Sequence, residues 1–195
     1  MTTEPEGDWA AALTKRIGAE VKRLRGKRSA QWLAERTAAI GMGISRPTIS
    51  ELETGKRKTI TVQELLVLAH ALNTSPAALV YPGPYDQETE ALPGRVVTEH
   101  VAAQWFSALS YWPVEPITDD FAQPPPQASN AGNMWLRNTR VLRLARDLEA
   151  VETARNAVMM RGQFDADRDQ IAFYDNRIQQ LKVDLLAAEE RNGDG

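Results

Sequence analysis

Hydrophobic residues recur every three or four positions over the first eighty residues, which is the spacing of helices that bury one face. Five short helices are predicted, with bounds of 9–25, 29–39, 45–54, 61–72 and 75–81. Capping residues support four of the starts: Ser29, Ser45, the capping box of Thr61 with Glu64, and Ser75 before Pro76. In the second helix, Trp32, Leu33 and Ala34 are predicted to turn inward. This pattern predicts an all-α domain.

The third of these helices has the pattern of a helix that offers its polar face to a ligand. Ile49 and Leu52 lie three residues apart on one buried face, and Gly55 can take the left-handed conformation that ends the helix. The outward positions are Arg46, Pro47, Ser50 and Glu51. Such a helix fits the major groove of DNA, and the cations at 56–58 would meet the phosphate backbone. Residues 45–54 therefore predict a DNA-recognition helix.

Beyond residue 81 the pattern changes. Residues 90–97 predict a short extended element with a turn at Pro93-Gly94, and Thr98 caps a helix that runs to about Leu109. The apolar residues of that helix are Val101, Trp105, Phe106 and Leu109. They are expected to pack on the amino-terminal domain or on a partner chain, and a small-molecule pocket is the alternative. Residues 113–133, with three consecutive prolines, predict a linker.

Residues 134–191 are predicted to be helical, with two seams of heptad-like spacing. The first seam runs from Val141 to Val158 and is interrupted by Arg155; the second runs from Ile171 to Ala188. The two seams are out of register across 162–169, so the chain either folds back as an antiparallel hairpin or continues as one helix with a phase shift. Burial of these apolar stripes indicates self-association as a homodimer, and a hairpin docked on its own chain is the alternative.

Length and composition limit the class of protein. The chain has 195 residues, of which 43% are hydrophobic, enough for one domain with an extension or for two small domains. The predicted borders are 9–82, 83–133 and 134–191. There is no Cys, which excludes disulfides, thiolate metal sites and Cys nucleophiles. Because the first eight residues are acidic and polar, and because no run could span a bilayer, a cytoplasmic protein without membrane contact is expected.

The net charge of −3 hides a strong asymmetry along the chain. Residues 9–60 contain twelve Lys and Arg against four Glu, a net charge of +8, so the remaining residues carry −11. A cationic block beside an anionic one is typical of a polyanion binder whose second region has another role. The alternative is that these cations merely solvate helix faces.

Several motifs in this block together resemble the Cro/repressor-type helix-turn-helix domain, also called the XRE family. They are Leu33-Ala34-Glu35-Arg36, Ile44-Ser45-Arg46, Thr48-Ile49-Ser50, Leu52-Glu53, Gly55-Lys56-Arg57, and Leu65 to Leu72 followed by Ser75-Pro76. The resemblance covers residues 17–81, and the stretch from Leu24 to Leu33 is similar to a branch common in high-GC Gram-positive bacteria and their phages. It implies a five-helix, lambda-repressor-like fold that binds double-stranded DNA.

The resemblance also implies roles for single residues. Arg25 at the end of the first helix and Glu53 late in the third are expected to pair as a structural clamp. Two departures from the family pattern affect the second helix. The turn before the third helix is about five residues longer than usual, and Ala30 stands where the family has a phosphate-binding Gln, with Gln31 beside it on a different face.

The expected DNA-binding residues are Ser29, Gln31, Ser45, Arg46, Pro47, Thr48, Ser50, Glu51, Lys56, Arg57 and Lys58. Arg46 can bind guanine with two parallel N–H bonds, or can bind a phosphate without reading sequence. Glu51 can accept a bond from cytosine, or can act as an exposed charge that repels phosphate. Pro47 offers apolar contact to a thymine methyl, and Thr48 or Ser50 can bind phosphate or base. The cations at 56–58 are expected to bind the backbone.

No catalytic motif, metal-ligand cluster or cofactor loop is apparent, so an enzyme is not expected. His70 and His100 are interpreted as surface residues, and the aspartates at 165, 167 and 169 lack the spacing of a calcium loop. The sequence therefore predicts a sequence-specific transcription regulator, with repression by promoter occupancy as its mechanism. The alternative function is a protein-interaction adaptor, antitoxin-like or phage-encoded, whose carboxy-terminal helices bind a partner protein.

Overall fold

Helices dominate the computed structural model, which describes residues 6–112, 126–161 and 167–193, and the predicted all-α fold is confirmed. The chain divides into two compact units, Met1–Ser110 and Tyr111–Gly195. The first unit contains α1 (Glu6–Arg25), α2 (Ala30–Ala39), α3 (Arg46–Glu53), α4 (Val62–Ala71), α5 (Pro76–Val80), β1 (Glu88–Leu92), β2 (Arg95–Thr98) and α6 (Glu99–Phe106). The second contains α7 (Pro126–Asn138), α8 (Arg140–Met159) and α9 (Arg168–Gly193).

Side-chain caps fix the starts of the short helices in the first unit. The hydroxyls of Ser29, Ser45, Thr61, Ser75 and Thr98 each accept a backbone N–H bond from the residue three positions further on. Thr61 and Glu64 form the full capping box that the sequence predicts. Gly26 and Gly55 end α1 and α3 with φ angles of +61° and +70°, a conformation that favours glycine.

The core of the first unit lies where α1 and α2 pack against α3. Its most deeply buried side chains are Ile17, Val21, Leu33, Ile49, Leu52, Leu68 and Leu79. Gly18 allows α1 to approach α3 closely, since an added Cβ would collide with the backbone carbonyl of Leu52. Trp32 and Ala34, predicted to turn inward with Leu33, are only half-buried. The guanidinium groups of Arg28 and Arg36 lie over the Trp32 ring.

The predicted extended element is an antiparallel hairpin that packs within the first unit. β1 and β2 pair from Glu88 opposite Thr98 to Leu92 opposite Arg95, with Gly94 in the turn. The Trp9 indole N–H donates to the Glu90 carbonyl oxygen at 3.0 Å, which ties α1 to β1. On α6, Phe106 packs edge-on against Tyr81 with ring centroids 6.0 Å apart.

Part of the predicted packing of the aromatic helix is present. Phe106 packs on the amino-terminal helices of its own chain, whereas Leu109, beyond the end of α6, is exposed. The predicted domain borders at 82 and 133 stay predictions, while the packing divides the chain between Ser110 and Tyr111.

The second unit is built around an antiparallel hairpin of α8 and α9, which resolves the choice between a hairpin and a continuous helix. Arg155, the interruption in the predicted seam, pairs with Asp175 at 2.5 Å, and Glu152 pairs with Lys182 at 3.2 Å. The residues buried within the hairpin are Val158, Ile178, Leu181 and Ala188. From the first ion pair to the second, the residue number falls along α8 and rises along α9, as antiparallel packing requires.

The predicted linker at 113–133 is wrong in its second half, because α7 begins at Pro126. Proline is favourable in the first turn of a helix, where its missing N–H would have had no partner in any case. Residues 113–125 lie outside the described residues, as do 162–166 in the predicted break between the two seams. Among the described helices, none is both long and apolar enough to cross a membrane.

Candidate nucleic-acid interface

α3 is a short helix with one deeply buried face and one exposed face. Ile49 and Leu52 are 0% and 1% exposed, and they hold the helix against α1 and α2. The Ser45 hydroxyl accepts a bond from the Thr48 backbone N–H at 3.2 Å and also contacts the Thr48 hydroxyl at 2.8 Å. Pro47 lies in the first turn, where a proline costs the helix no hydrogen bond. The helix is thus anchored from inside and capped at its start.

The predicted readout residues divide by exposure along this helix. Ser45, Arg46, Pro47 and Glu51 are exposed, whereas Thr48 and Ser50 are half-buried. Within the part of the chain that the structure describes, the side chains of Arg46 and Glu51 form no hydrogen bond or ion pair. A guanidinium held at the start of an exposed helix, without an internal partner, can reach a base edge or a phosphate.

The predicted pairing of Arg25 with Glu53 is present. Nε of Arg25 donates to one carboxylate oxygen of Glu53 at 2.6 Å, and Nη2 donates to the other at 2.7 Å. The two side chains are only 14% and 6% exposed, and the hydrogen bond to Glu53 raises the pKa of Arg25. Arg25 also donates to the carbonyl oxygen of Arg28. This bidentate pair joins the end of α1 to the end of α3.

The long turn between α2 and α3 is anchored by one buried hydroxyl. Thr37 is 0% exposed, and its Oγ1 accepts a bond from the Ile44 backbone N–H at 2.9 Å. The same hydroxyl donates to the Ala34 carbonyl oxygen at 2.8 Å. Ile44 immediately precedes the Ser45 cap, so Thr37 fixes the point from which α3 starts.

The basic run after α3 contains two kinds of cation. Lys56 and Lys58 are exposed and, within the described residues, their side chains form no hydrogen bond or ion pair. Arg57 instead binds Glu64 through two bonds of 2.8 and 3.3 Å. Burial alone would raise the pKa of Glu64, but hydrogen bonds from Arg57 and Thr61 outweigh it and lower that pKa. The expected DNA contact of Arg57 stays a prediction, and its guanidinium already has a structural partner.

The remaining two predicted DNA-binding residues, Ser29 and Gln31, lie at the start of α2. Ser29 is exposed and caps the helix by accepting a bond from the Trp32 N–H at 3.0 Å. Gln31 is exposed and donates to Glu35 at 3.0 Å. Beside them, the Arg28 guanidinium lies 4.0 Å from the centre of the Trp32 ring, and Arg36 donates to the Ala71 carbonyl oxygen at 2.9 Å.

This geometry, with a short capped helix held across a second helix, agrees with a comparison of the sequence with known families. Residues 16–80 match the family model described as a helix-turn-helix domain. No curated protein and no solved structure shows a significant match to the chain. In the helix-turn-helix arrangement α2 and α3 form the paired helices, and α3 occupies the place of the recognition helix.

Sequence reasoning missed two residues that shape this interface. Thr37 and Gly18 carry no motif of their own, and only their contacts with Ile44 and Leu52 show their roles. The histidines considered for catalysis are both exposed, at positions 70 and 100. Among the described residues, no group of acidic or histidine side chains could hold a metal ion.

Proposed function

We propose that this chain is a sequence-specific regulator of transcription that reads the DNA major groove with α3. The observation that carries the proposal is the exposed face of Arg46, Pro47 and Glu51, held over the buried Ile49 and Leu52 within a matched helix-turn-helix domain. Lys56 and Lys58 would neutralise phosphates beside the groove, and each would release counterions on binding.

The finer parts of the proposal rest on the Cro/repressor resemblance. The regulator is of the XRE type, acts in the cytoplasm, and represses by occupying a promoter. Ser29, Gln31 and the first turn of α2 contact phosphate, while Arg46 binds guanine and Glu51 accepts from cytosine or excludes other bases.

The test is a selection of bound duplexes from random DNA at a fixed, stated salt concentration. We expect one enriched motif for the unmodified chain. Arg46→Ala should relax the preference at one base pair by about 1–3 kcal/mol, because the bidentate guanine contact is lost. Arg177→Ala, which removes an exposed arginine of the second unit, is the matched control and should leave the motif unchanged. Failure to enrich any duplex at low salt would refute DNA reading altogether.

We further propose that the carboxy-terminal helices form a homodimer that places two recognition helices on a palindromic site. Support comes from large apolar side chains on the outside of α9, where Phe173, Val183 and Leu186 are 66%, 60% and 61% exposed. Half-sites about 34 Å apart would suit a two-fold dimer. In the second candidate function, the same outer surface of α9 binds a different protein, and DNA binding brings that protein to a promoter.

A further inference from the structure

The first unit contains an apolar cavity of about 290 Å³, and none of its described lining residues belongs to α3. Its aromatic walls are Trp9, Tyr81, Trp105 and Phe106. Aliphatic side chains of α1, α4 and β1 complete the lining, and the exposed Val62 lies at the rim. The cavity therefore lies where α1, α4 and the end of α5 meet β1 and α6.

The chemistry of the walls restricts what can bind there. Among the described residues that line the cavity, none carries a charge. Two polar groups of the lining already have partners: the Trp9 N–H donates to Glu90, and the Thr61 hydroxyl bonds with Glu64. Burial raises the pKa of Tyr81, with a smaller opposing effect of Arg16, so its hydroxyl stays neutral at physiological pH. No described lining residue offers an ion a charged partner, so an ion entering this space would lose hydration that the walls do not replace. The Arg16 guanidinium, 5.3 Å from the centre of the Tyr81 ring, is not among the lining residues.

We propose that this cavity is a binding site for an uncharged small molecule with two or three aromatic rings. A dry apolar cavity of about 150 Å³ holds one benzene ring, so the larger volume here has room for a two-ring body. Aromatic walls favour flat ligands through stacked or edge-on contacts. The exposed Phe106 and Val62 at the opening allow a further ring to project toward solvent.

The walls of the cavity continue into the basic run beside α3. Ile60 lines the cavity two residues after Lys58, and the Thr14 hydroxyl of α1 donates to the Lys58 carbonyl oxygen at 3.1 Å. A ligand that moves α1 relative to α4 would therefore move the backbone that carries Lys56 and Lys58. This coupling rests on the DNA-binding function proposed above, whereas ligand binding itself can be measured without DNA.

The test uses two fluorescent probes that share one ring framework. N-phenyl-1-naphthylamine is uncharged, and 8-anilino-1-naphthalenesulfonate carries one negative charge on the same rings. With the full chain, we expect saturable binding of the uncharged probe at one site, and at least tenfold weaker binding of the sulfonated probe. No saturable binding of the uncharged probe would overturn the site, and equal affinity for both probes would overturn the assigned ligand class.

A matched pair of variants on α4 locates the site. Val62→Phe adds a ring at the rim of the cavity and should weaken probe binding at least fivefold. Leu66→Phe adds the same ring at a neighbouring exposed position outside the lining and should not. Both positions are exposed, and thermal unfolding followed by circular dichroism verifies that each variant folds. Equal binding by the two variants, or probe release as the chain dimerises at higher concentration, would overturn the proposal.

Discussion

At the scale of single residues, the Arg25–Glu53 pair fixes how the end of α3 meets the end of α1. Both side chains are largely removed from water, and each carboxylate oxygen accepts one N–H of the same guanidinium. Such a pair adds less to stability than its Coulomb attraction suggests, because both ions lose hydration. Its geometry, however, leaves one position for the end of α3 relative to α1.

We expect Glu53→Gln to lower the free energy of unfolding by about 3 kcal/mol, the low end for a broken buried pair, because Arg25 keeps its bond to Arg28. Glu51→Gln, an exposed change on the same helix, should alter that free energy by less than about 0.5 kcal/mol. Urea unfolding of the two variants and the unmodified chain measures both values. Equal losses would mean that the pair has no special role in stability.

A second residue-scale prediction concerns the hydroxyl of Thr37. Thr37→Val keeps the shape of the side chain but leaves the buried Ile44 N–H without its acceptor, so we expect a loss of about 1–3 kcal/mol. Thr37→Ser keeps the hydroxyl and removes one methyl, and it should cost about 1 kcal/mol. Denaturant unfolding compares the two. A valine variant as stable as the serine variant would show that the turn does not depend on this bond.

The residues of the site differ in how far the sequence could predict them. Ser45 and the Thr61–Glu64 box are local, since each cap bonds to a backbone group three residues away. Arg25–Glu53 could be predicted only through a family resemblance, because 28 residues separate the partners. Thr37 could not be predicted, since its bond to Ile44 depends on the path of an unusually long turn.

At the scale of elements, the capping box at the start of α4 also organises the basic run before it. Glu64 accepts bonds from the Thr61 N–H at 2.9 Å and from Arg57, and the pKa of Glu64 lies below its ordinary value. The folded state therefore favours the charged carboxylate. This contribution is complete above the ordinary glutamate pKa of about 4.3, and it is lost as the pH falls through the lower pKa of the folded state.

We expect Glu64→Gln to lower stability at pH 7 by about 1–3 kcal/mol, because two charge-assisted bonds are lost. The difference between this variant and the unmodified chain should shrink as the pH falls below about 4. Glu88→Gln, an exposed change on β1, is the control and should show no comparable difference. Urea unfolding at several pH values supplies the measurement. A difference that stays constant down to pH 3 would contradict the assignment.

The helix bounds also show where the local sequence pattern predicts the wrong structure. The bounds of α2, α3 and α4 agree with prediction within one or two residues because caps and glycines mark them. The three consecutive prolines at 124–126 place residues 126–133 in the predicted linker, since proline is typical of chain breaks. Within α7, however, Pro126 occupies the first turn, where it is compatible with a helix, and Gly132 lies close to Tyr111.

At the scale of the whole molecule, charge predicts where polyanions bind, but not which cations meet them. Residues 9–60 carry a net +8, yet Arg25, Arg28, Arg36 and Arg57 all bind groups of their own chain. Arg46, Lys56 and Lys58, in α3 and just after it, are exposed, and within the described residues their side chains form no hydrogen bond or ion pair. The heptad seams are similarly ambiguous, since their spacing fits both a hairpin and a continuous helix. The packing of α8 against α9 decides for the hairpin.

The outer face of α9 leads to a prediction about the oligomeric state of the chain. The inner face is used within the hairpin, so Phe173 and Val183 remain exposed on the chain described here. If this surface joins two copies, light scattering of the full chain should give twice its mass of 21.7 kDa at micromolar concentration. Phe173→Glu with Val183→Glu should return the mass to that of one chain, because buried like charges repel and lose hydration.

A control variant and a DNA-binding measurement distinguish self-association from binding of a different protein. Thr153→Glu adds one charge at an exposed position of α8, the other helix of the hairpin, and should leave the dimer intact. The double variant should still bind a single half-site. It should lose the higher affinity of the unmodified chain for a palindrome over a half-site, since joining two DNA-binding domains raises their effective concentration. An unmodified chain that stays a single copy at every concentration, and binds half-site and palindrome equally, would instead assign this surface to a different protein.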